Sequence, residues 1–353
     1  MTSELGTLLA DTVTRLFNDL VGKELIESAE KGAWPDKLWR ALEEGGLTLP
    51  LVAEARGGAG GTWPDAHVVV RAAGKHAAPV PLAETIVAGW LLSQAGLDVP
   101  LGPLTIAPVE RDERLRLARA GGQWRLTGTA SRVPWGAAAG HVVVVTESDG
   151  APMVALLARG SGKVAPDRNL ALEPRDTLTF DGAAVVAAAA AGPRVSGDAV
   201  MLRGALVRAA QMAGALESLL EQSVRYATER KQFGRPIGNF QAIQHNLALL
   251  AGHTASAGMA AQYAFEVAER GEPRRAVAAA KIRAGEAAGL GAGIAHQVHG
   301  AIGFTYEHSL HFATRRLWSW RAEFGSESRW AQTLGRTVAE RGAGRLWADL
   351  TAR

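Results

Sequence analysis

The spacing of apolar side chains changes twice along this chain, and no other feature constrains its fold as strongly. Over residues 1 to about 100 the apolar positions follow helical spacing, as in Leu5, Leu9, Val13 and Leu16. From about 103 to 192, short apolar or alternating runs are separated by Gly, Pro and Asp, which is typical of strands. Helical spacing returns from about 196. The pattern predicts a mainly α chain with three domains: helical 1–102, small antiparallel β 103–195 and helical 196–353.

Within these domains the sequence indicates where several elements begin and end. Pro35 opens a helix that Gly45 and Gly46 close. The Ala-rich run 183–191 is predicted to be the end of a strand followed by a linker. Further helices are predicted over 84–95, 240–270, 275–298, 308–319 and 327–348. Tight Ala and Gly faces on the C-terminal helices indicate a four-helix bundle with a subunit interface.

Composition narrows the class of protein. The 353 residues are 47% hydrophobic and 21% charged, with a net charge of only +3, so nucleic-acid binding is not expected. No apolar run is long enough to span a bilayer, and the first residues do not resemble a signal peptide. The sequence contains no Cys, which excludes disulfides and thiolate metal sites and fits a cytoplasmic location. The histidine pairs His296/His299 and His308/His311 lack a third ligand, so no metal is predicted.

A short loop, Glu229–Gln244, joins two of the predicted helices and combines charge, aromatic rings and glycines. An Arg/Lys pair offers positive charge to a phosphate, and a neighbouring Phe offers a flat surface to a ring. A solvated turn between helices needs neither Phe233 nor Phe240. From local chemistry alone, a plain loop with a hydrophobic plug is an equally good interpretation.

This loop resembles the ERxQFGxPIxxFQ signature of the acyl-CoA dehydrogenase family of flavoproteins. A second segment, Gln297–Thr305, resembles the QxxGGxGxT signature of the same family, and the two follow in the same order and spacing. The resemblance implies an N-terminal helical domain, a middle β-barrel and a C-terminal four-helix bundle. It also implies FAD as the cofactor, bound across a subunit boundary.

The resemblance assigns cofactor contacts to particular residues. Arg230 would pair with the pyrophosphate and Phe233 would pack near the adenine, with Gln232 and Gln241 hydrogen-bonding nearby. In the second segment Gln297 and the backbone at Gly300 would hold the ADP part. The small residues there, including Gly303, let the backbone approach the phosphates, and Thr305 matches a hydroxyl near the cofactor. Ala301 stands where the family usually has a second Gly.

Enzymes of this family use a Glu to remove the α-proton of an acyl-CoA, and the β-hydride passes to the flavin, which gives an enoyl-CoA. In this chain the matching position holds Phe324, and Glu323 lies one residue early. We take Glu323 as the candidate base, with Glu327 as a weaker candidate and solvated loop carboxylates as the alternative. Some relatives place the Glu on the first C-terminal helix, but that position falls near Gly204.

The middle domain also departs from the family pattern. The region 107–112 lacks the family's TEPxAGSD-like loop. The stretch Gly128–Pro134 resembles the strand that lines the flavin ring. Trp135 follows this stretch. We expect its ring either to cover the flavin or to be buried in the β core, and the sequence favours neither.

The sequence therefore predicts FAD-dependent dehydrogenation of an acyl-CoA, in fatty acid or lipid catabolism, with an electron-transfer flavoprotein or similar acceptor. The chain is expected to form a homo- or hetero-oligomer, either dimer or tetramer. One alternative is a non-catalytic or half-site subunit that completes the FAD pocket of a partner acyl-CoA dehydrogenase subunit. A further alternative is a flavin oxidase or monooxygenase on the same fold.

Overall fold

The computed structural model describes residues 3–110, 113–148 and 150–351. Helices come first, strands follow, and helices return after Ala190, so the predicted domain boundaries at 102/103 and 195/196 fall in connections between elements. The helices are α1 Glu4–Leu20, α2 Lys23–Glu30, α3 Asp36–Glu44, α4 Trp63–Lys75, α5 Leu82–Gln94, α6 Ala199–Glu229, α7 Gln241–Arg270, α8 Arg274–His299, α9 Leu310–Trp320, α10 Glu327–Arg341 and α11 Leu346–Thr351. The strands are β1 Leu104–Ile106, β2 Leu115–Ala120, β3 Gln123–Pro134, β4 His141–Ser148, β5 Ala151–Ala158, β6 Lys163–Ala165, β7 Arg175–Ala184, β8 Ala187–Ala190, β9 Lys231–Gln232 and β10 Arg235–Pro236.

Helices α1 and α4 of the N-terminal domain each carry an apolar stripe and begin at a side-chain cap. Ser3 caps α1 by accepting a hydrogen bond from the Gly6 amide at 2.8 Å. Thr62 and Asp65 form a capping box at the start of α4. Helix α5 is buried almost throughout its length, which makes it the centre of this domain.

The middle domain is one sheet in the order β6-β7-β3-β2-β4-β5-β8, with β1 beside β4. Most neighbours are antiparallel, as predicted, but β1 and β2 both run parallel to β4. The prediction of a linker over 183–191 is wrong, because β8 lies in this run and pairs with β5 through Met153 and Leu156. Backbone groups alone make this edge pairing, and a run of alanines carries no alternating pattern that would reveal it.

Helix α6 is the central element of the C-terminal domain and packs against α4, α7, α8 and α9. Close approach of α4 and α6 depends on Gly214, where a Cβ would lie 2.0 Å from the Arg71 carbonyl oxygen. The last predicted helix, 327–348, is shorter than expected, since α10 stops at Arg341 and Gly342 takes a positive φ of 82°. Among the residues described, none of the helices combines the length and apolar character that crossing a bilayer requires.

Candidate functional site

The two segments that the sequence singles out lie at one end of the helical domain. The first begins where α6 ends, at Glu229, and the second contains the end of α8, at His299. The ring of Tyr226, near the end of α6, stacks on His299 with 4.6 Å between centroids. The fold therefore brings the predicted cofactor contacts of both segments to the same end of the molecule.

The first segment forms a β9–β10 hairpin whose turn is Phe233–Gly234, with φ angles of 50° and 78°. Such two-residue turns favour Asn-Gly, because a bulky side chain at positive φ is strained. Phe233 is nevertheless 92% exposed, and its nearest ring partner is Phe240 at 6.1 Å. A strained and exposed aromatic ring does little for folding of this chain, which indicates a contact outside it.

The other predicted residues of this segment are also at the surface. Arg230, Gln232 and Gln241 are all exposed. Within the described ranges, the Arg230 guanidinium forms no ion pair. An exposed guanidinium is available to a phosphate, so the predicted roles of these residues stay predictions that the geometry allows.

In the second segment, Gln297, Gly300 and Ala301 border an open cavity of about 480 Å³. Gly300 ends α8 with a φ of 62°, a conformation that favours glycine. The cavity is lined by Gly293, His296, Gln297, Gly300, Ala301, Phe304 and Trp318. A phosphate or ring held here would meet backbone as well as side chains.

Gly303 and Thr305 have more local contacts than the resemblance implies. Gly303 is buried, and a Cβ there would lie 3.0 Å from the His299 Cβ, so this glycine packs inside the turn. The Thr305 hydroxyl donates to the Ile302 carbonyl at 2.9 Å. A cofactor would compete with that bond for the hydroxyl. The cofactor contacts of Gly303 and Thr305 stay predictions.

The candidate base Glu323 lies in the turn after α9 and is held by three side chains. Its Oε1 accepts from Arg175 Nε at 2.8 Å and from Asn169 Nδ2 at 3.0 Å. Its Oε2 accepts from Arg208 Nε at 2.8 Å and from Arg175 Nη2 at 3.0 Å. Only 13% of the Glu323 side chain is exposed, so both oxygens are engaged inside the protein.

This setting does not suit proton abstraction. Burial alone raises the pKa of a carboxyl, but the Arg175 and Arg208 guanidiniums outweigh burial and hold the pKa of Glu323 well below its usual range. A general base works best when its pKa is near the operating pH. The prediction that Glu323 is the base is therefore not supported by its surroundings, which assign it to a buried ion-pair network.

The two positions at which the family resemblance places the Glu meet each other in this chain. The Phe324 ring lies on Gly204, where a Cβ would be only 2.2 Å from the ring. Phe324 is 5% exposed, and its φ is 52°. An apolar ring thus fills the space that either Glu would occupy.

The strand that resembles the flavin-lining strand reaches this same place and leaves almost no room. The cavity between Pro134 of β3 and the Glu323–Phe324 turn has a volume of about 20 Å³. That is enough for about one water molecule, whereas ligand pockets span roughly 300–1,000 Å³. The two parts of the predicted catalytic site are adjacent, but the space between them is closed.

A buried lysine fixes the turn that closes this space. Lys281 Nζ donates to the backbone carbonyls of Trp320, Arg321 and Gly325 at 3.2, 2.8 and 2.8 Å. Burial lowers the pKa of Lys281 to about 7. Three carbonyl acceptors match the three donors of an ammonium group.

The remaining candidates have structural partners. Glu327 pairs with Arg321 at 2.8 Å. Trp135 neither faces an open flavin site nor belongs only to the β core, because its buried ring packs edge-on against Trp34 of the N-terminal domain at 6.2 Å. In the region 107–112, Arg111 and Asp112 lie outside the described residues. No group of three His, Asp or Glu in the described part of the chain is arranged to hold a metal ion.

Sequence reasoning missed the side chains that surround Glu323. Asn169 precedes β7, Arg175 begins it, and Arg208 lies in the middle of α6. Arg208 is held in turn by Glu84 of α5 at 2.6 Å. No local pattern marks these residues, because they come from three regions that only the tertiary fold brings together.

Comparison with known proteins identifies the family. Residues 3–98 match the acyl-CoA dehydrogenase N-terminal domain, and residues 192–338 match the acyl-CoA dehydrogenase C-terminal domain. The acyl-CoA dehydrogenase FadE27 of Mycobacterium tuberculosis is 31% identical over 86% of this chain and 88% of that protein. This chain belongs to the acyl-CoA dehydrogenase family.

Solved structures agree with this assignment to the acyl-CoA dehydrogenase family. The ChsE4-ChsE5 complex from Mycobacterium tuberculosis superposes with a TM-score of 0.89 at 27% identity, covering 97% of this chain and 99% of that one. A variant of the Tcur3481-Tcur3483 steroid ACAD superposes with a TM-score of 0.87 at 26% identity, with the same coverage. Family membership makes this chain an oxidoreductase component acting on the CH–CH bond of acyl-CoA, with FAD as its cofactor.

Proposed function

We propose that this chain is the half-site subunit of a hetero-oligomeric acyl-CoA dehydrogenase. It supplies contacts to the ADP end of FAD, while a homologous partner subunit holds the flavin ring and the acyl-CoA and provides the catalytic base. This proposal gives a role to the exposed signature segments and to the closed catalytic space together.

The closed catalytic space carries the proposal. Phe324 and Gly204 stand at the two positions where the resemblance places the Glu, and the Phe324 ring packs against Gly204. The remaining cavity of about 20 Å³ beside Glu323 accepts no acyl chain and no flavin ring. Catalysis within this chain alone would need a carboxylate at one of these two positions. It would also need space for the substrate and the flavin, and side chains of this chain fill that space.

The ADP side of the site supports the same proposal, because it is open where the catalytic side is closed. Arg230 and Phe233 are exposed on the hairpin, and Gln297 and Gly300 border a cavity of about 480 Å³. These residues fit the ADP part of FAD by charge, by backbone approach and by an aromatic surface. They could bind the ADP end of an FAD whose flavin ring lies in a neighbouring subunit.

The related structures give this proposal a precedent. One is a complex of two differently named chains, ChsE4 and ChsE5, and the other carries the paired name Tcur3481-Tcur3483 and is described as a steroid ACAD. By analogy we propose a hetero-oligomer for this chain, with steroid-derived acyl-CoA thioesters as the first substrate class to test.

In the assembled enzyme the chemistry would be divided between the subunits. When bound, FAD accepts the hydride that leaves the β-carbon of the acyl group. The Arg230 guanidinium would neutralise pyrophosphate charge. Gly300 has no Cβ and would let the backbone approach the phosphates closely. An electron-transfer flavoprotein or similar protein remains our predicted acceptor.

A self-sufficient dehydrogenase that uses Glu323 is the second candidate, favoured by the nearness of Glu323 to the usual position. It requires the carboxylate to leave Arg175 and Arg208 and a cavity to open around it. Both changes act against a buried ion-pair network, so we rank this candidate below the half-site subunit.

The test is to purify this chain alone and together with a longer family member that carries Glu at the position of Phe324, such as one encoded beside it. We expect the single chain to be colourless and inactive. The pair should be yellow, contain one FAD for every two chains and bleach with an acyl-CoA. A yellow single chain that bleaches with a thioester would overturn the proposal.

Within the pair, Arg230→Ala should lower FAD content without lowering the stability of this chain, because its side chain has no described ion-pair partner. Arg270→Ala is a suitable control, since it removes an exposed arginine from the end of α7. Equal FAD content in wild type and Arg230→Ala would remove Arg230 from the cofactor site.

A further inference from the structure

Strand β2 has a neighbour along the whole of one edge but along only part of the other. On one side Leu115–Ala120 pairs residue by residue with β3. On the other side β2 pairs with β4 at a single position, Arg116 with Glu147, and β4 ends at Ser148. Within the described ranges, no strand pairs with 117–120 on that side, and this unpaired stretch is the β2 edge. An unpaired strand edge can accept an added strand through its backbone N–H and C=O groups.

An open cavity of about 480 Å³ lies along the β2 edge. Its volume is within the range of ligand pockets, roughly 300–1,000 Å³. Ala118 and Ala120 are exposed, and their short side chains leave the backbone of β2 accessible. A segment in extended conformation therefore has room beside this edge. The cavity is lined by Arg116, Leu117, Ala118, Arg119, Trp124, Glu147 and Ser148.

The charged groups of this cavity favour an acidic occupant. Arg116 and Arg119 are exposed, and in the described part of the chain neither guanidinium forms an ion pair. The described lining residues include two Arg and one acidic residue, Glu147, so their charges sum to +1. A guanidinium can bind a carboxylate through two parallel hydrogen bonds. An extended segment that carries carboxylates therefore complements this wall.

One of the two arginines is already held in place. The Arg119 guanidinium lies over the Trp124 ring, 4.7 Å from its centroid, and the two residues are cross-strand partners in β2 and β3. This cation–π contact restricts the side chain before any partner arrives. A side chain that is ordered beforehand loses less entropy on binding, so Arg119 can bind a carboxylate at a small entropic cost.

Charge also argues against a second copy of this chain as the occupant. Pairing of two β2 edges would bring Arg116 and Arg119 of both copies together, and like charges on facing strands are destabilising. We propose that the β2 edge is a docking site for an extended acidic segment of a different protein, which adds one strand to the sheet beyond the end of β4. Backbone hydrogen bonds to 117–120 would align the segment, and the two arginines would select its carboxylates. This inference is independent of the proposed half-site function.

The test uses the full chain and a blocked peptide of Val and Thr with two Glu residues, spaced three positions apart to match Arg116 and Arg119. We expect saturable binding by titration calorimetry at low salt. Arg116→Glu with Arg119→Glu should raise the Kd at least tenfold, because both carboxylate partners are lost. Arg15→Glu with Arg336→Glu is the control, since it makes the same change of net charge at exposed positions elsewhere. If charge reversal disrupts the sheet, Arg116→Gln with Arg119→Gln replaces it.

A peptide methylated at its backbone nitrogens separates strand addition from simple charge attraction, because it keeps its carboxylates but cannot donate hydrogen bonds to the β2 edge. We expect it to bind at least tenfold more weakly. Equal binding of the methylated peptide, or of a peptide with Lys in place of Glu, overturns the docking site. Absence of binding at millimolar peptide overturns it too. A dimer of this chain that charge reversal at Arg116 and Arg119 dissociates assigns the edge to a second copy and also overturns the inference.

Discussion

Glu323 is a buried anion whose neighbours determine what it does. Arg175 and Arg208 donate to both of its oxygens, and Arg208 is shared with Glu84. Removing one member of such a network leaves the other charges buried without compensation, which costs more than the pair itself contributes. We therefore treat Glu323 as a residue that stabilises the fold.

Replacing Glu323 by Gln tests that view directly. We expect the free energy of unfolding to fall by about 3 kcal/mol, because two buried guanidiniums lose their shared anion. Glu327→Gln is the matched control, since Glu327 pairs with the 38% exposed Arg321 and is worth less than about 1 kcal/mol. Denaturant unfolding of both variants gives the comparison. Unchanged stability together with lost turnover of the assembled enzyme would instead make Glu323 the base.

At the scale of single elements, the β9–β10 hairpin has a sequence that its backbone does not favour. Phe233 occupies a left-handed position in a two-residue turn, where Asn would be unstrained. Its ring is exposed and contributes little packing, apart from Phe240. We therefore expect the Phe233 ring to serve a contact with the cofactor or with a partner subunit.

Phe233→Asn should separate folding from function in this hairpin. We expect the stability of the isolated chain to stay within about 1 kcal/mol of wild type or to rise, because strain in the turn is relieved. The FAD content of the assembled pair should fall, since the aromatic surface near the adenine is removed. Thermal unfolding and flavin absorbance measure the two effects. A clear loss of stability would show that the ring matters mainly for folding.

The contact between α4 and α6 depends on a glycine in a place where helix propensity argues for alanine. Gly214→Ala gains about 1 kcal/mol of intrinsic propensity. The new Cβ would, however, lie 2.0 Å from the Arg71 carbonyl oxygen, so the helices must separate. We expect a net loss of about 2 kcal/mol from this overpacking.

Gly258→Ala on α7 is the control for this prediction, because nothing lies within 4 Å of its new Cβ. That variant should keep the gain in propensity. Denaturant midpoints of the two variants should therefore move in opposite directions. A midpoint for Gly214→Ala at or above wild type would contradict the packing account.

Across the whole molecule, buried charges join the three domains. Glu84 comes from the N-terminal helices, Arg175 from the sheet, and Arg208 and Glu323 from the C-terminal domain. Their contacts join the three domains at the predicted catalytic site. The same ion pairs hold Glu323 beside the small cavity at the predicted catalytic site.

Buried histidines make the stability of the whole chain depend on pH. Burial, with a smaller effect of Arg71, lowers the pKa of His67 to about 4, against an ordinary value of 6.5. Between pH 4 and 6.5, His67 is therefore protonated in the unfolded chain and neutral in the folded chain. The stability from this group is complete above pH 6.5 and is lost progressively as the pH falls toward 4.

We expect the loss from His67 to reach about 3 kcal/mol, at about 1.4 kcal/mol for each pKa unit. His67→Phe should flatten the fall in unfolding free energy between pH 6.5 and 4, because the titrating group is gone while the ring packing on Phe265 is kept. The exposed His245→Gln is the control. Denaturant unfolding across this range is the measurement. An unchanged slope in His67→Phe would rule out this source of acid sensitivity.

Local sequence patterns were enough to predict the order of the domains and to indicate the family. Periodicity of the apolar residues predicted the change from helices to strands and back, because one buried face imposes a period of 3.6 or 2. The two signature segments led to the acyl-CoA dehydrogenase family and to FAD, since their residues follow one another in the chain. The extra strand β8 was missed, because an alanine run paired through its backbone has no such period.

The surroundings of the candidate site, by contrast, depend on the tertiary structure. The loss of the usual Glu at Phe324 is visible in the sequence, but the placement of that ring on Gly204 is not. Nor does any local pattern reveal that Arg175 and Arg208 enclose Glu323, since these three residues lie far apart in the chain. A carboxylate acquires its pKa and its role from the charges around it, and only the folded chain assembles those charges.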